Sequence, residues 1–289
     1  MFKTQYDCPP DTGLKGLKLY VELHDSPSAF AAESAKRTKR GDMERGNSDS
    51  DFYDGKSFIE AVNLASTGDL SRVPESDRLL SEYEALSFQS SRRAWTDDVV
   101  GALPNVPAYV AGLPMCMRRR SPQPSESAPV AILVDLTCSA HCTSDMIARR
   151  GAAILALVRC LSSRRPVELW AGTIVGADGD SNGVALFSRV ETSPLDLATA
   201  GYVLQSGAYP RRLHYALSRT YGFSGGWAFN SHTASREHLA ALMRPAMPHI
   251  AESVIVPAMH ESDIISTDPQ AWIKHKLTEL GVVTMDDAA

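Results

Sequence analysis

The sequence predicts an α/β fold of three layers, in which helices cover a mostly parallel central sheet that has one antiparallel edge strand. The stretch Ala128–Trp170 carries the prediction, because a strand, a polar loop, a helix and the start of a second strand follow one another there without interruption. Pro129–Val134 is a continuous apolar run, which is typical of a strand buried on both faces. Val167–Val175 is the second strand, and a strand–helix–strand unit pairs its strands in parallel.

The helix inside this unit is predicted from its ends and from its apolar face. Thr143 or Ser144 can cap the first turn, while Arg164 and Arg165 suit the negatively polarised end. Pro166 then prevents the helix from continuing. Its buried-type residues recur at helical spacing: Met146, Ile147, Ile154, Leu155, Leu157, Val158 and Leu161.

The elements after this unit complete the predicted domain. Asp178–Gly183 has the composition of a tight turn, so Val184–Val190 is expected to pair antiparallel with the preceding strand and to form the edge. Glu252–Pro257 is the last predicted strand. Helices are predicted from Thr192, with Ser193 as the cap and Pro194 in the first turn, and at Pro210–Tyr221, Ser235–Met243 and Asp268–Leu280.

The residues before this unit are predicted to form a mainly helical extension that packs on the core. Leu17–Leu23 has the pattern of a short strand, and Gly55–Ser66 and Glu75–Ser87 have apolar residues at helical spacing. Trp95–Met117 mixes prolines and glycines with buried-type residues, which predicts an ordered but irregular connector packed against the sheet.

Length and composition set the class of protein. A chain of 289 residues with a linker-like stretch at 121–127 suits an N-terminal extension at 1–120 and a main domain at 128–289. Apolar residues make up 44% and charged residues 22%, as in ordinary folded domains. The net charge of −5 argues against a protein that coats nucleic acid.

The sequence also predicts a cytoplasmic protein without a membrane partner. No apolar run reaches the roughly 18–20 residues that cross a bilayer, and the first residues lack the apolar core of a signal peptide. The five cysteines show no paired spacing, which favours reduced thiols: Cys8, Cys116, Cys138, Cys142 and Cys160.

The candidate site follows the first buried strand directly. Asp135, Thr137 and Ser139 form an Asp-x-Thr-x-Ser pattern at the carboxyl end of that strand, where open parallel sheets bind ligands. A carboxylate and hydroxyls are oxygen ligands of the kind that Mg²⁺ takes. In a competing interpretation, Asp135 caps the following helix through backbone N–H groups.

This pattern resembles the Asp-x-Ser-x-Ser motif of von Willebrand factor type A domains, a Rossmann-like fold. The resemblance implies a divalent cation held by Asp135, Thr137 and Ser139, with Thr192 as the later threonine and Asp263 or Glu261 as the acidic residue after the last strand. It implies a non-enzymatic module whose Mg²⁺, or another divalent cation, accepts a carboxylate from a protein partner.

A second similarity is to proteins without an assigned activity that phages and prophages encode. The matching segments are Asp97–Gly101, Tyr109–Met117, Arg150–Gly151 and Asp268–Trp272. This similarity implies a phage protein that acts in the cytoplasm of a bacterial host.

Two other functions remain open at this stage. Arg211, Arg212 and Arg219, with Trp227 in a glycine-rich stretch, suit a nucleic-acid-associated phage protein of replication or transcription. A hydrolase or transferase would instead be centred on Asp135 and Cys138, since a thiol at a helix N-terminus can be a nucleophile. The motifs of P-loop ATPases, serine hydrolases with a Gly-x-Ser-x-Gly elbow and His-Glu-x-x-His metalloproteases do not occur.

Overall fold

A mixed six-stranded sheet runs through the structure, a computed structural model that describes residues 1–9, 12, 17–44, 51–87, 93–122, 129–162, 165–176, 182–222, 236–249, 254–260, 263–280 and 282. The strands of this part of the chain are β1 (Phe2–Asp7), β2 (Lys18–His24), β3 (Arg93–Asp98), β4 (Leu103–Pro104), β5 (Met117–Pro122), β6 (Val130–Asp135), β7 (Val167–Val175), β8 (Gly183–Val190) and β9 (Val254–Val256).

Helices connect these strands. They are α1 (Pro27–Arg37), α2 (Arg40–Met43), α3 (Phe58–Thr67), α4 (Val73–Ser87), α5 (Val106–Val110), α6 (Ser144–Ser162), α7 (Leu197–Gln205), α8 (Tyr215–Arg219), α9 (Arg236–Met243), α10 (Ile264–Thr267) and α11 (Pro269–Glu279). A π-helical segment, Tyr209–His214, leads into α8, and single 3₁₀ turns lie at Asp51–Tyr53 and Leu70–Arg72. Among the described helices, none has the length and apolar character that crossing a membrane requires.

The large sheet has the order β1-β2-β8-β7-β6-β9. β6 pairs in parallel with β7 and β9, and β2 pairs in parallel with β8, while β7–β8 and β1–β2 are antiparallel. The predicted α/β class, with a mostly parallel sheet and an antiparallel edge strand, is therefore confirmed. The predicted position of the antiparallel edge strand was wrong. β8 lies inside the sheet because β2 pairs with the side of β8 that is opposite β7. The antiparallel edge strand is β1.

The N-terminal region contributes to this sheet as well as packing on it. β1 and β2 belong to the predicted extension, so the sheet continues across the predicted junction at 121–127, of which residues 123–127 lie outside the described part of the chain. The core is built on both faces of the sheet. The larger apolar cluster joins α6 and α7 to Phe30 of α1 and Phe58 of α3, and a smaller cluster on the other face includes Leu242 of α9.

Local capping explains where two of the helices begin. Ser57 and Glu60 form a capping box at α3, in which each side chain accepts a backbone N–H of the other residue. The helix that was predicted from Thr192 begins at Leu197 instead. Asp196 accepts the backbone N–H groups of Ala198 and Thr199, so its carboxylate caps that helix in place of Ser193.

The segment predicted as an irregular connector forms a second sheet. β3, β5 and β4 pair antiparallel in that order, and α5 connects β4 to β5. We call residues 93–122 the small-sheet module. The side chains between β3 and β5 were expected to pack on the main sheet, but many of them are exposed, as described below.

Candidate functional site

The predicted Asp135–Ser139 site lies at the carboxyl end of β6, and its polar atoms bond within the loop. Asp135 is 1% exposed, and its Oδ1 accepts the backbone N–H of Thr137 at 2.9 Å. The buried Thr137 hydroxyl lies 3.5 Å from the carbonyl oxygen of Ile174, and the Ser139 hydroxyl accepts the backbone N–H of His141 at 3.3 Å. The carboxylate therefore organises its own loop and does not point into an open crevice.

The buried guanidinium group of Arg150 lies beside the predicted site. Arg150 of α6 is 4% exposed, and its Nη2 donates to the carbonyl oxygens of Asp135 at 3.2 Å and of Pro257 at 2.5 Å. Its Nε is 3.5 Å from Oδ2 of Asp263, whose Oδ1 accepts the backbone N–H of Ile265 at the start of α10. The fold thus brings Asp135 and Asp263 to the same guanidinium group, which contacts the backbone carbonyl oxygen of Asp135 and the carboxylate of Asp263.

The fold does not bring Thr192 to this site. Its hydroxyl donates to the carbonyl oxygen of Val167, at the first residue of β7. Asp135 pairs with Gly172, five positions further along β7, which corresponds to about 16 Å at the rise of a strand. The physical reason is the direction of β8. An antiparallel strand returns the chain to the opposite end of the sheet, so the residues that follow it are distant from Asp135.

The described residues contain no group of three or more His, Cys, Asp or Glu side chains that could hold a metal ion. The divalent cation stays a prediction, and its proposed ligands already have protein partners.

Burial controls the ionisation of Asp135. Removal from water raises the pKa of its carboxyl to about 6, although hydrogen bonds from Thr137 and the charge of Arg150 act in the opposite direction. Between about pH 4 and pH 6 an unfolded chain has lost the proton that the folded chain retains. The free energy of unfolding therefore falls as the pH rises through this range, by about 3 kcal/mol for this group.

Asp135→Asn is expected to remove this pH-dependent penalty. The amide oxygen can still accept the backbone N–H of Thr137, while no charge has to be buried. Relative to the wild type, the variant should gain about 3 kcal/mol between pH 4 and pH 7.5, measured by urea unfolding. Equal pH dependence in both proteins would contradict this assignment. A rise in melting temperature with Mg²⁺ that only the wild type shows would instead support the metal site.

Cys138 does not have the properties of a nucleophile at a helix terminus. It is 4% exposed, and burial raises the pKa of its thiol even though Arg211 and Arg150 lower it. It lies in an apolar cluster with Cys142, Ile147 and Met259. The thiol is thus a buried packing group.

The arginines proposed for nucleic acid mostly have structural roles. Arg211 is 1% exposed and donates to the carbonyl oxygens of Phe52, Ser139 and Cys142 at 3.0–3.1 Å. Arg212 is buried, donates to the carbonyl oxygen of Lys56 and stacks on the ring of Tyr53 at 3.6 Å. These two guanidinium groups are buried and donate hydrogen bonds to loop carbonyl oxygens, so they do not form a basic surface for phosphate. Arg219 pairs with Asp42 at 2.8 Å, and Trp227 lies outside the described residues.

A second buried polar cluster was not predicted. Glu22 of β2 is 1% exposed, and its Oε2 lies 3.1 Å from Nε2 of His24 and 3.3 Å from Nζ of Lys3. Its other oxygen accepts hydrogen bonds from Arg37 and Tyr221. Burial alone would raise the pKa of Glu22, but the bonds from His24 and Arg37, with the charges of Arg37 and Lys3, lower it to about 2.

The sequence contained a signal for this cluster. Glu22 and His24 alternate with Val21 and Leu23, so both polar side chains point to one face of a strand that is covered on both faces. Near this cluster, the centroid of the His214 ring lies 4.1 Å from the centroid of the Phe30 ring. Burial, assisted by the neighbouring His24, holds the pKa of His214 well below its usual value, so this imidazole is neutral.

A family model described as "Domain of unknown function (DUF7192)" matches residues 9–284. The chain belongs to this family. No curated protein and no solved structure shows a significant similarity to it.

The DUF7192 match spans the small-sheet module as well as β2, β6, β7, β8 and β9 of the large sheet, so the module is part of the family's domain. Both buried polar clusters also lie inside the matched range, apart from Lys3. In this DUF7192 chain their carboxylates pair with cationic side chains and accept loop N–H groups, which are contacts within the fold. Large apolar side chains are exposed in the small-sheet module.

Proposed function

We propose that the protein is a non-enzymatic protein-interaction module that binds its partner through the small-sheet module. One observation carries the proposal: eight large apolar side chains close together in the sequence are exposed by 49–79%. We call this set the apolar surface. Its members are Val99, Val100, Leu103, Val106, Tyr109, Val110, Leu113 and Met115.

The local structure supports binding of an apolar partner. Residues 99–116 contain no charged side chain. Val106, Tyr109 and Val110 occupy positions i, i+3 and i+4 of α5 and so share one side of it, while Ala108 is 7% exposed on the other. An open pocket of about 520 Å³ adjoins them, lined by Asp97, Asn105, Pro107, Ala108, Leu113, Pro114 and Met115. Exposed apolar patches of this kind mark protein interaction sites.

The buried state of the other candidate residues supports the same proposal. Asp135 and Cys138, on which a hydrolase or transferase would depend, are each less than 5% exposed, and the Asp135 carboxylate bonds within its own loop. Protein binding is also the function that the resemblance to von Willebrand type A domains implies. A bacterial-host setting and a cation that contacts the partner stay predictions from the sequence.

Val110→Asp tests the apolar surface. Val110 is 79% exposed, so the substitution should change the free energy of unfolding by no more than about 0.5 kcal/mol. It places a charge within the apolar surface, so we expect a clear loss of binding of the dye 8-anilinonaphthalene-1-sulfonate, which reports exposed apolar surface. Dye fluorescence at low protein concentration is the measurement.

The matched control is Ile59→Asp. Ile59 is 69% exposed on α3 and does not belong to the small-sheet module, so its substitution should leave dye binding unchanged. If wild type, Val110→Asp and Ile59→Asp bind the dye equally, the apolar surface is not a binding surface and the proposal fails.

A further inference from the structure

A small cluster of sulphur-bearing side chains lies beneath the turn that connects β6 to α6. We propose that this cluster binds one cuprous ion, Cu(I). The proposed ligands are the thiolates of Cys138 and Cys142 and the thioethers of Met146 and Met259. The cluster is separate from the small-sheet module, so the inference goes beyond the proposed function and does not depend on it. It also differs from the predicted divalent-cation site, because its ligands are sulphur and not oxygen.

The composition of the cluster is the first observation. It is distinct from the two larger apolar clusters, and its buried members are Cys138, Cys142, Ile147 and Met259, each 1–7% exposed. Met146, in the first turn of α6, packs against them. Ile147 is thus the one member without sulphur. Thiolate and thioether ligands select Cu(I), whereas Mg²⁺ takes oxygen ligands. Two cysteines alone are too few ligands for a closed site, and the thioethers supply the others.

Backbone pairing holds the first cysteine beside the later methionine. Cys138 and Met259 are partners in a parallel β-bridge, so their backbones lie about 4.8 Å apart and their side chains point to the same face. The backbone N–H of Met259 donates to the carbonyl oxygen of Thr137 at 2.8 Å, and that of Ser139 donates to the carbonyl oxygen of Met259 at 3.1 Å. These two proposed ligands are therefore brought together by the fold itself.

A tight turn returns the chain to the same place. The backbone N–H of Cys142 donates to the carbonyl oxygen of Ser139 at 3.0 Å, which closes a turn over residues 139–142. The Sγ atom of Cys142 lies 3.9 Å from the carbonyl oxygen of Met259, so Cys142 reaches the residue that Cys138 pairs with. Ala140 and His141 in the turn are exposed, which gives an ion a short path of entry.

A buried arginine supplies a positive charge beside the thiols. Arg211 is 1% exposed, and its described partners are uncharged: three backbone carbonyl oxygens, the ring of Phe52 and the Cys138 thiol. Its Nε has no hydrogen-bond partner in the described part of the chain. Burial of a guanidinium without an anion beside it is costly. The cluster therefore adjoins a cation that an anionic group would stabilise.

Cu(I) binding provides that anionic group. Each thiol releases its proton to solvent as its sulphur binds the ion, and no electron is transferred. Two thiolates and one Cu(I) leave a single negative charge, which the guanidinium of Arg211 neutralises. Arg150, the other cation near Cys138, already pairs with Asp263 at 3.5 Å. With Zn²⁺ the two thiolates would leave no negative charge for Arg211, so charge and ligand type both favour a soft monovalent ion.

Anaerobic titration of the full chain with Cu(I) tests the proposal, with the chelator bicinchoninate as competitor. We expect the wild type to bind one equivalent and to melt at a higher temperature when it is loaded. Cys142→Ala should lower the affinity by more than the roughly 10–100-fold that loss of an outer partner of a metal ligand costs. Cys160→Ala is the matched control. Cys160 is also a buried cysteine but packs in the larger apolar cluster, so this variant should bind as the wild type does.

Met146→Leu and Met259→Leu test the thioethers. Leucine conserves the volume and the apolar character of methionine, so both variants should fold. Each should bind Cu(I) more weakly than the wild type, and the sulphur shell that X-ray absorption measures around the ion should lose one atom in each.

Three results would overturn the proposal. The first is a wild type that binds no Cu(I) in competition with bicinchoninate. The second is equal affinity in Cys142→Ala and Cys160→Ala, which would make binding a property of any thiol. The third is wild-type affinity and an unchanged sulphur shell in both methionine variants. The melting temperature of each unloaded variant shows whether it is folded, and the methionine variants keep the test decisive if Cys142→Ala is not.

Discussion

Replacing Gly151 with alanine is expected to lower the free energy of unfolding by about 3 kcal/mol, the upper part of the usual range for overpacked cores. Gly151 lies where α6 crosses α7, and a Cβ atom added there would be 2.1 Å from the carbonyl oxygen of Leu204 and 2.7 Å from Cγ of Gln205. The nearest atom belongs to backbone, so a change of rotamer cannot relieve the clash. The two helices would have to separate, and their shared core would lose contacts on both sides.

Gly201→Ala is the matched control for this prediction. Gly201 is also a buried helical glycine, on α7, but an added Cβ would find its nearest atoms at 3.5–3.7 Å, which is ordinary contact. Alanine there should be neutral or slightly stabilising because it favours the helix. Urea unfolding of both variants is the measurement. A Gly151→Ala protein as stable as Gly201→Ala would contradict the close approach of α6 and α7.

Glu22→Gln is expected to cost about 3 kcal/mol at neutral pH, because it leaves the cations around a buried carboxylate without their partner. Arg37, Lys3 and His24 all approach this carboxylate. The folded pKa of about 2 lies below the value of about 4.5 for an unperturbed glutamate, so the ionised form stabilises the fold. This contribution is complete above about pH 4.5 and is lost as the pH falls toward 2. The advantage of the wild type should shrink over the same interval.

Glu33→Gln provides the comparison. Glu33 also faces Lys3, at 3.1 Å, and Arg37, at 3.8 Å, but its side chain is 18% exposed whereas that of Glu22 is 1% exposed. Partial hydration weakens such pairs, so the loss should stay below about 1 kcal/mol. Unfolding measured at pH 7 and at pH 3 distinguishes the two variants. A Glu22→Gln protein whose deficit is unchanged at pH 3 would show that charge is not what Glu22 contributes.

The β6–α6–β7 unit could be predicted from the sequence because its signals are local. The apolar run before Asp135, the helical spacing within residues 146–161 and Pro166 each act within a few residues, and the structure forms these elements there. The strand near Leu17–Leu23 was found in the same way, but its place beside β8 was not. Pairing between β2 and β8 joins residues about 160 positions apart, and no local pattern encodes that choice.

The candidate site also combines a feature that local sequence predicts with one that depends on distant segments. The prediction that Asp135 ends a buried strand was correct. The burial of its side chain depends on segments that are distant in the sequence. Backbone bonds between Met259 and residues 137 and 139, with the guanidinium of Arg211 on the carbonyl oxygens of Ser139 and Cys142, hold the loop over the carboxylate. The direction of β8 could have excluded Thr192 from the sequence alone, since an antiparallel strand cannot end beside Asp135.

Local sequence patterns predict the α/β class, the first parallel strand pair and the end of β6 at Asp135, because apolar runs and helix-ending residues act over a few positions. The tertiary structure decided which polar side chains are buried and which apolar side chains are left exposed. Glu22 and Arg211 became interior groups, while the uncharged stretch 99–116 became surface. Burial depends on which distant segments of the chain cover a residue, and composition does not encode these contacts.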